Sequence, residues 1–213
     1  MNATAVIPVK RFDDAKRRLA TGLGPEQRRR LMAAMVEDVL EAIPLARSIE
    51  RTIVVTGDRR AEELAADCGA EVVPDPGHTG HVQAALAGIA RAEVEGAGCV
   101  ALLPGDCPLL DPRELDGLLA GLPTPFVAIV PDRHGTGTNA LVLNPPGAIV
   151  PAFGEGSCAR HVELARAAGI PFEVAEVASL GLDLDTPADL VALTRELTAR
   201  PGRARRTARV LGI

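Results

Sequence analysis

The sequence predicts a three-layer α/β/α fold with a mostly parallel, Rossmann-like sheet and a small antiparallel insertion. Short apolar runs alternate with segments whose apolar residues recur at helical spacing, and the runs are apolar almost throughout. Such runs are typical of parallel strands that helices cover on both faces. After Asp132 the alternation breaks, because two apolar runs lie close together around the stretch RHGTG. This break indicates the antiparallel piece.

The first half of the chain supplies the parallel strand–helix units. The predicted strands are 4–9, 51–56 and 70–75, followed by the apolar run within 99–106. The predicted helices are 26–43, 59–69, 81–96 and 111–122. The last of these begins with an Asp cap and a Pro in its first turn, which is a common helix start.

The second half supplies strands at 125–132, 138–144 and 172–177, a helix that begins near Ser157, and a helix within 182–197. We expect a single domain over residues 1–200. Residues 201–213 are basic, and we expect them to form a mobile C-terminal tail.

Composition excludes several classes of protein. The formal net charge of −5 and the absence of Trp and Tyr argue against a nucleic-acid partner. No apolar stretch is long enough for a membrane span, and no signal peptide is evident, so we expect a cytoplasmic protein without a membrane partner. The four cysteines are scattered and predict neither a zinc site nor a disulfide framework. A homodimer is one assembly that we consider.

Polar residues follow the predicted parallel strands directly. Lys10, Asp58, Asp75 and Asp106 each come just after a strand. Ligands of such sheets bind beyond the carboxyl ends of the strands. The sequence therefore predicts a binding site at this edge.

The loop after the first strand is cationic. It carries Lys10, Arg11, Lys16, Arg17 and Arg18, but neither GxGxxG nor GxxxxGK. A cationic loop over the sheet edge suits a polyphosphate. A solvated basic turn explains the same residues.

Two acidic segments form a candidate metal site. Asp183 and Asp185 are two residues apart on an extended segment, so their side chains share a face, and Asp106 is the third carboxylate. Carboxylates without Cys or His suit Mg²⁺. The alternative is that Asp106 caps a turn and that Asp185 or Thr186 caps the following helix.

Two further motifs are candidates for anion binding. RHGTGTNAL places Thr136 and Thr138 in a Gly-rich turn before a strand, which a plain hairpin also explains. FGEGSCARH places Ser157 at a helix start, where free N–H groups bind anions. Arg160 in the first turn opposes the helix dipole and hints at an anionic ligand, although a capped helix with a solvated Arg is equally consistent. The four histidines show no ligand spacing.

Together these motifs resemble one family over residues 4 to about 193. IPVKRFDDAKRRLA, LLPGDCPLL, RHGTGTNAL, FGEGSCARH and LDLDTPADL are similar to the CofC/FbiD family, the phospholactate or phosphoenolpyruvate guanylyltransferases of coenzyme F420 biosynthesis. The resemblance implies a nucleotidyltransferase-type fold. It also implies transfer of GMP from GTP to a phosphorylated three-carbon acid, with Mg²⁺ as cofactor and release of pyrophosphate.

The resemblance also implies roles for individual residues. The nucleotide is bound by Lys10, Lys16, Arg18, Gln83 and Gly105. The acceptor is bound by Thr138, Gly154 and Ser157. The metal is bound by Asp106, Asp183 and Asp185, and the catalytic residues are Lys10, Lys16 and Asp106. The stretch HVQAAL departs from the family pattern, because His81 and Gln83 stand where Gly and Asn are common.

Two alternatives remain open at this point. The chain could be another nucleotidyltransferase of the same fold that acts on a molybdopterin or a sugar phosphate. It could also be a non-catalytic nucleotide-binding protein, although the cationic loop and the acidic residues together favour an enzyme.

Overall fold

We describe the fold from a computed structural model, for residues 3–13, 16–20, 22–75 and 80–213. The strands in these ranges are β1 (Ala3–Val9), β2 (Ile49–Thr56), β3 (Glu71–Pro74), β4 (Val100–Leu102), β5 (Phe126–Pro131), β6 (Thr138–Asn144) and β7 (Phe172–Val174). The α-helices are α1 (Pro25–Ala42), α2 (Arg59–Asp67), α3 (His81–Val94), α4 (Pro112–Leu119), α5 (Ser157–Ala167), α6 (Pro187–Ala199) and α7 (Arg205–Leu211).

These strands form one mixed sheet in the order β3-β2-β1-β4-β6-β5-β7. β1 pairs in parallel with β2 and β4, β2 with β3, and β5 with β7. β6 alone in this described sheet runs antiparallel to both of its neighbours. The predicted fold class is therefore confirmed, and the antiparallel piece is the β5–β6 hairpin.

The sheet separates two apolar cores, which gives the three layers. On β1, Ala5 and Ile7 belong to the core that includes α1, α2, α4 and α6, whereas Val6 between them belongs to the core under α3 and α5. This alternation is the two-residue period of a strand with both faces covered. Every residue of β1 is buried. The polar residues that follow β1, beginning with Lys10, therefore lie at the carboxyl edge of the sheet.

Close packing at two glycines positions the elements around that edge. A Cβ at Gly88 of α3 would lie 3.0 Å from Val55 Cγ2, so this helix approaches the sheet where a larger residue would not fit. A Cβ at Gly105 would lie 3.3 Å from Val36 Cγ2 of α1. Pro104 has no N–H for the ladder, and the chain leaves the sheet between β4 and Asp106.

The segment that we expected to be a mobile tail is instead partly helical and packed. Within α7, Thr207 is fully buried. The Asp38 carboxylate of α1 accepts the N–H groups of Arg206 at 3.1 Å and Thr207 at 2.8 Å. Asp38 thus supplies from a distant helix the cap that Ala204, at the N-terminus of α7, cannot supply. The mobile-tail prediction is wrong because this partner lies far away in the sequence.

None of the helices in the described ranges has both the length and the apolar character needed to cross a bilayer. All four cysteines are free in the structure.

Candidate active site

A cavity of about 860 Å³ opens at the carboxyl edge of the sheet. β6 is antiparallel, so its first residue, Thr138, reaches the same edge as the ends of β1 and β4. The cavity brings together all but one of the residues that the sequence predicted for the site, namely Lys10, Lys16, Arg18, Gly105, Asp106, Thr138, Gly154, Ser157, Asp183 and Asp185. The exception is Gln83, which is exposed on α3 and does not line the cavity. The structure gives no support to its assignment to the nucleotide site.

The Lys16 ammonium lies between two of the predicted metal ligands. Its Nζ contacts an oxygen of Asp106 and lies 2.9 Å from Asp185 Oδ1. The Lys16 side chain is only 6% exposed, and burial by itself would lower its pKa. The two adjacent carboxylates outweigh the burial and raise the pKa of Lys16 above its ordinary value. One cation therefore already bridges Asp106 and Asp185.

Asp183 lies in the same cavity, where its hydrogen-bond partner is Asn139. Asn139 Nδ2 donates to Asp183 Oδ1 at 3.2 Å and to the Leu180 carbonyl at 2.7 Å. Burial, followed by repulsion from Asp106, raises the pKa of Asp183 to about 6. Our sequence reasoning assigned no role to Asn139, although it stands beside Thr138 in the motif GTGTNAL. Its position in that motif is the signal that could have found it.

The structure resolves which residue caps α6. Thr186 is the N-cap, and its hydroxyl accepts the Asp189 N–H at 3.3 Å. Asp189 in turn accepts the N–H groups of Asp185 at 3.0 Å and Thr186 at 2.6 Å. The Asp185 side chain is therefore not a cap, and it lies in the cavity paired with Lys16. Asp189 also pairs with Arg133 at 2.5 Å, which links the acidic segment to the Gly-rich turn before β6.

That Gly-rich turn is organised by Asp132, which lines the cavity. Asp132 Oδ1 accepts the N–H groups of Thr136 at 2.9 Å and His134 at 3.1 Å. Burial would raise the pKa of Asp132, but hydrogen bonds from the backbone of Thr136, Gly137 and His134 outweigh it and lower the pKa. These amides are bonded within the turn, and they are not free for an anion as the sequence had suggested.

The start of α5 differs from the prediction in the same way. Gly156, with φ of 69°, is the N-cap, and Ser157 is the first helical residue. The Ser157 N–H donates to the Gly154 carbonyl at 3.0 Å, and the Cys158 N–H donates to the Thr136 carbonyl at 3.2 Å. The expectation that these two amides bind an anion is wrong, because backbone carbonyls already occupy them.

Two neighbours of Ser157 refine that part of the site further. Arg160 donates to the carbonyls of Ala152, at 3.0 Å from Nη2, and Glu155. These carbonyls pair with the Arg160 guanidinium, so the presence of Arg160 in the first turn of α5 does not require an anionic ligand. Gly154 has φ of 117°, so a larger residue there would strain the backbone.

Three aromatic rings pack edge to face beside the stretch FGEGSCARH, and two of them, His81 and Phe153, line the cavity. The His81 and Phe153 rings meet edge to face at 4.6 Å between centroids, and Phe153 meets His161 at 5.3 Å. Burial, and then the charge of Lys10, lowers the pKa of His81. His161 Nδ1 lies 2.9 Å from Thr138 Oγ1, and His161 Nε2 accepts the Ala152 N–H at 2.8 Å. Our sequence reasoning gave no role to His81 or His161.

The donor set fits a hard divalent cation better than any softer metal. Asp106, Asp183 and Asp185 supply carboxylate oxygens, and among the described residues that line the cavity the only His or Cys is His81. The Lys16 ammonium already lies between Asp106 and Asp185, so these two carboxylates are arranged around a positive charge. Within the described residues, however, no three potential ligands are already arranged around one point.

Solved structures of other proteins share this class of α/β fold. A solved structure from Desulfovibrio desulfuricans G20, assigned as a nucleotide-diphospho-sugar transferase, superposes with a TM-score of 0.78 at 20% identity, covering 100% of this chain and 95% of that chain. Glucosyl-3-phosphoglycerate synthase from Mycobacterium tuberculosis, solved with Mn²⁺ and uridine diphosphate, has a TM-score of 0.61 at 16% identity, covering 100% and 80%. These likenesses show the fold.

Sequence comparison defines the family within that class. The model of the family described as "Guanylyl transferase CofC like" matches residues 3–199, and the chain belongs to this family of enzymes. A phosphoenolpyruvate guanylyltransferase from Conexibacter woesei is 46% identical over 209 residues, covering 97% of this chain and 94% of the relative. A 3-phospho-D-glycerate guanylyltransferase from Phenylobacterium zucineum is 37% identical over 212 residues, covering 98% and 95%. The predicted resemblance is confirmed.

Proposed function

We propose that this enzyme transfers GMP from GTP to phosphoenolpyruvate and releases pyrophosphate, as a step of coenzyme F420 biosynthesis. The observation that carries the proposal is that one cavity holds cationic side chains, the three carboxylates predicted to bind metal and the two hydroxyl-bearing motifs. The 46% identical relative is named for phosphoenolpyruvate, which supports that acid as the acceptor. Another relative is named for 3-phospho-D-glycerate. That acid and 2-phospho-L-lactate are therefore the competing acceptors.

The reaction joins two anions, and the cavity supplies the charges that allow it. An oxygen of the acceptor phosphate attacks the α-phosphorus of GTP, and the bond from that phosphorus to pyrophosphate breaks. A phosphate monoester is a sufficient nucleophile, so no side-chain nucleophile is required. Two unit charges of like sign at 4 Å repel by about 4 kcal/mol at an effective dielectric constant near 20. Lys10 and Arg18, both exposed at the cavity, counter this repulsion on the triphosphate side.

We further propose that Asp106, Asp183 and Asp185 hold Mg²⁺ in the working enzyme. Bound there, Mg²⁺ would neutralise phosphate charge and orient the triphosphate. Lys16 occupies one side of the same carboxylates, and its ammonium can turn to the triphosphate once Asp106 and Asp185 are otherwise neutralised. The buried strand β4 and the α1 packing at Gly105 keep Asp106 in place during this exchange.

The decisive experiment is pyrophosphate release by the purified enzyme with GTP, Mg²⁺ and one acid at a time. We expect phosphoenolpyruvate to give the highest kcat/KM, above 2-phospho-L-lactate and 3-phospho-D-glycerate. Faster turnover with either of those acids would overturn the acceptor assignment. Release with a sugar phosphate alone, or none with any acceptor, would overturn the proposed reaction.

Carboxylate-to-amide variants test the site with a matched control. Asp106→Asn removes a charge in the cavity, whereas Asp67→Asn makes the same change on the exposed face of α2. We expect Asp106→Asn to lose at least about 100-fold in kcat, because loss of a metal ligand exceeds the 10- to 100-fold typical of outer-shell changes. Asp67→Asn retains activity. Asp185→Asn should also lose activity rather than stability, since Thr186 and not Asp185 caps α6.

A further inference from the structure

His161 is a fully buried imidazole that contacts Thr138 next to the cavity. It does not line the cavity, whereas its partner Thr138 does. Both ring nitrogens have partners, since Nδ1 lies 2.9 Å from Thr138 Oγ1 and Nε2 lies 2.8 Å from the Ala152 nitrogen. A buried histidine with both nitrogens paired has a defined orientation and a defined tautomer.

The Ala152 contact decides which nitrogen carries the proton. A backbone N–H is always a donor, so Nε2 must accept and therefore has no hydrogen. In the neutral imidazole the hydrogen is then on Nδ1, and Nδ1–H donates to Thr138 Oγ1. The Thr138 oxygen thus accepts from behind, and its own hydrogen is left to point elsewhere. Thr138 itself lines the cavity, so this hydrogen is available to a ligand there.

The same region offers few other free donors to an acceptor. The N–H groups of His134 and Thr136 are bonded to Asp132, and those of Ser157 and Cys158 are bonded to carbonyls. With these four N–H groups bonded elsewhere, the Thr138 hydroxyl is one of the donors that this wall can direct at an anion. An oxygen that is fixed as a donor favours a charged acceptor oxygen over a hydroxyl or an ester.

We propose that His161 is a positioning residue that fixes the Thr138 hydroxyl as a hydrogen-bond donor to an anionic oxygen of the acceptor acid. The proposal rests on the proposed function and on the acceptor contact that the family resemblance implies for Thr138. A purely structural role is the competing explanation, because His161 also ties residue 152 to α5. If His161 positions Thr138, its Nδ1–H matters for binding of the acid. If its role is purely structural, the bond between Nε2 and Ala152 matters instead.

Two amide variants separate the two ring nitrogens. In His161→Asn the side-chain N–H₂ can take the place of Nδ1–H and donate to Thr138. In His161→Gln the side-chain oxygen can take the place of Nε2 and accept from Ala152, while the donor to Thr138 is lost. We expect His161→Gln to raise KM for the acid about tenfold, the worth of one hydrogen bond. His161→Asn should restore it to within about threefold, and KM for GTP should change in neither variant.

A Thr138→Val background gives the coupling between the two residues. If His161 acts through Thr138, His161→Gln adds no further increase in KM for the acid once the hydroxyl is gone. Equal increases in KM for the acid and for GTP, or additive effects in the double variant, would show a structural role and overturn the proposal. A larger increase in KM for the acid in His161→Asn than in His161→Gln would overturn the proposal as well.

A measurement on the wild-type enzyme covers the case in which a variant does not fold. Imidazole ¹⁵N resonances of ¹⁵N-labelled protein at pH 7.5 distinguish the two neutral tautomers. We expect the Nδ1–H form for His161, and an Nε2–H form or an imidazolium would overturn the proposal by itself. Absence of turnover with every acid would instead overturn the proposed function, and this proposal with it, whatever the tautomer.

Discussion

The burial of His161 predicts a specific loss of stability in mild acid. Burial, with a smaller contribution from the charge of Arg160, lowers the pKa of His161 from its ordinary 6.5 to about 4. Protonation would place a hydrogen on Nε2 and break the hydrogen bond from Ala152. The folded protein therefore resists a proton that the unfolded chain accepts readily, and the unfolded state binds more protons between these two pKa values.

The sign and size of the effect follow from linkage. Because the folded pKa lies below the unfolded one, the stabilisation is complete above pH 6.5 and is lost as the pH falls toward 4. The full difference corresponds to about 3 kcal/mol, at roughly 1.4 kcal/mol for each pKa unit. Between pH 7.5 and pH 5 the expected loss is about 2 kcal/mol. His161 is 0% exposed, so solvent screening does not reduce this value much.

Urea unfolding of the wild type and of His161→Asn at pH 7.5 and pH 5 checks this. The variant cannot titrate at this position, while every other titratable group is unchanged. The free energy of unfolding of the wild type should therefore fall by about 2 kcal/mol more than that of the variant over this interval. Parallel pH dependences for the two proteins would refute the reasoning and would mean that His161 is protonated as easily in the folded protein as in the unfolded chain.

Four further substitutions test the packing of the fold and of the site. Gly88→Ala puts a methyl group against a buried valine of β1 and should cost about 1–3 kcal/mol in urea unfolding, whereas Gly117→Ala on the exposed face of α4 meets nothing and should stabilise by up to about 1 kcal/mol. Gly137→Ala places Cβ 2.7 Å from Asp132 Oδ2, so it should displace the turn and raise KM for the acid while KM for GTP stays unchanged; equal changes in both would contradict this. Asp38→Ala removes the acceptor for two N–H groups of α7, which should cost about 1–3 kcal/mol and speed hydrogen exchange in that helix; unaltered exchange there would count against the capping role.

The sequence by itself determined the elements and the edge at which the site lies. Apolar runs, helical spacing and cap residues depend on neighbours within a few positions, so they can be identified along the chain. Asp106 directly after a buried strand is such a local feature, and its place at the carboxyl edge follows from the strand direction. The motifs RHGTGTNAL and FGEGSCARH identified the family for the same reason, since each is a continuous stretch.

Only the tertiary structure decided which polar groups are already paired. The Lys16 ammonium lies between Asp106 and Asp185, which are 90 and 169 residues away along the chain. Asp38 caps α7 across a comparable separation, which turned an expected tail into packed structure. Such pairings depend on the order of the strands in the sheet, and that order leaves no local pattern in the sequence.

The helix start at α5 shows the physical reason most directly. A Ser after Gly-x-Gly predicts a cap and free N–H groups, and both expectations are reasonable from capping preferences alone. The Cys158 N–H is bonded to Thr136, a residue of another loop, because the fold places that carbonyl within reach. Propensity describes what a segment offers, and the buried partners that satisfy it are chosen by the packing of elements distant in the chain.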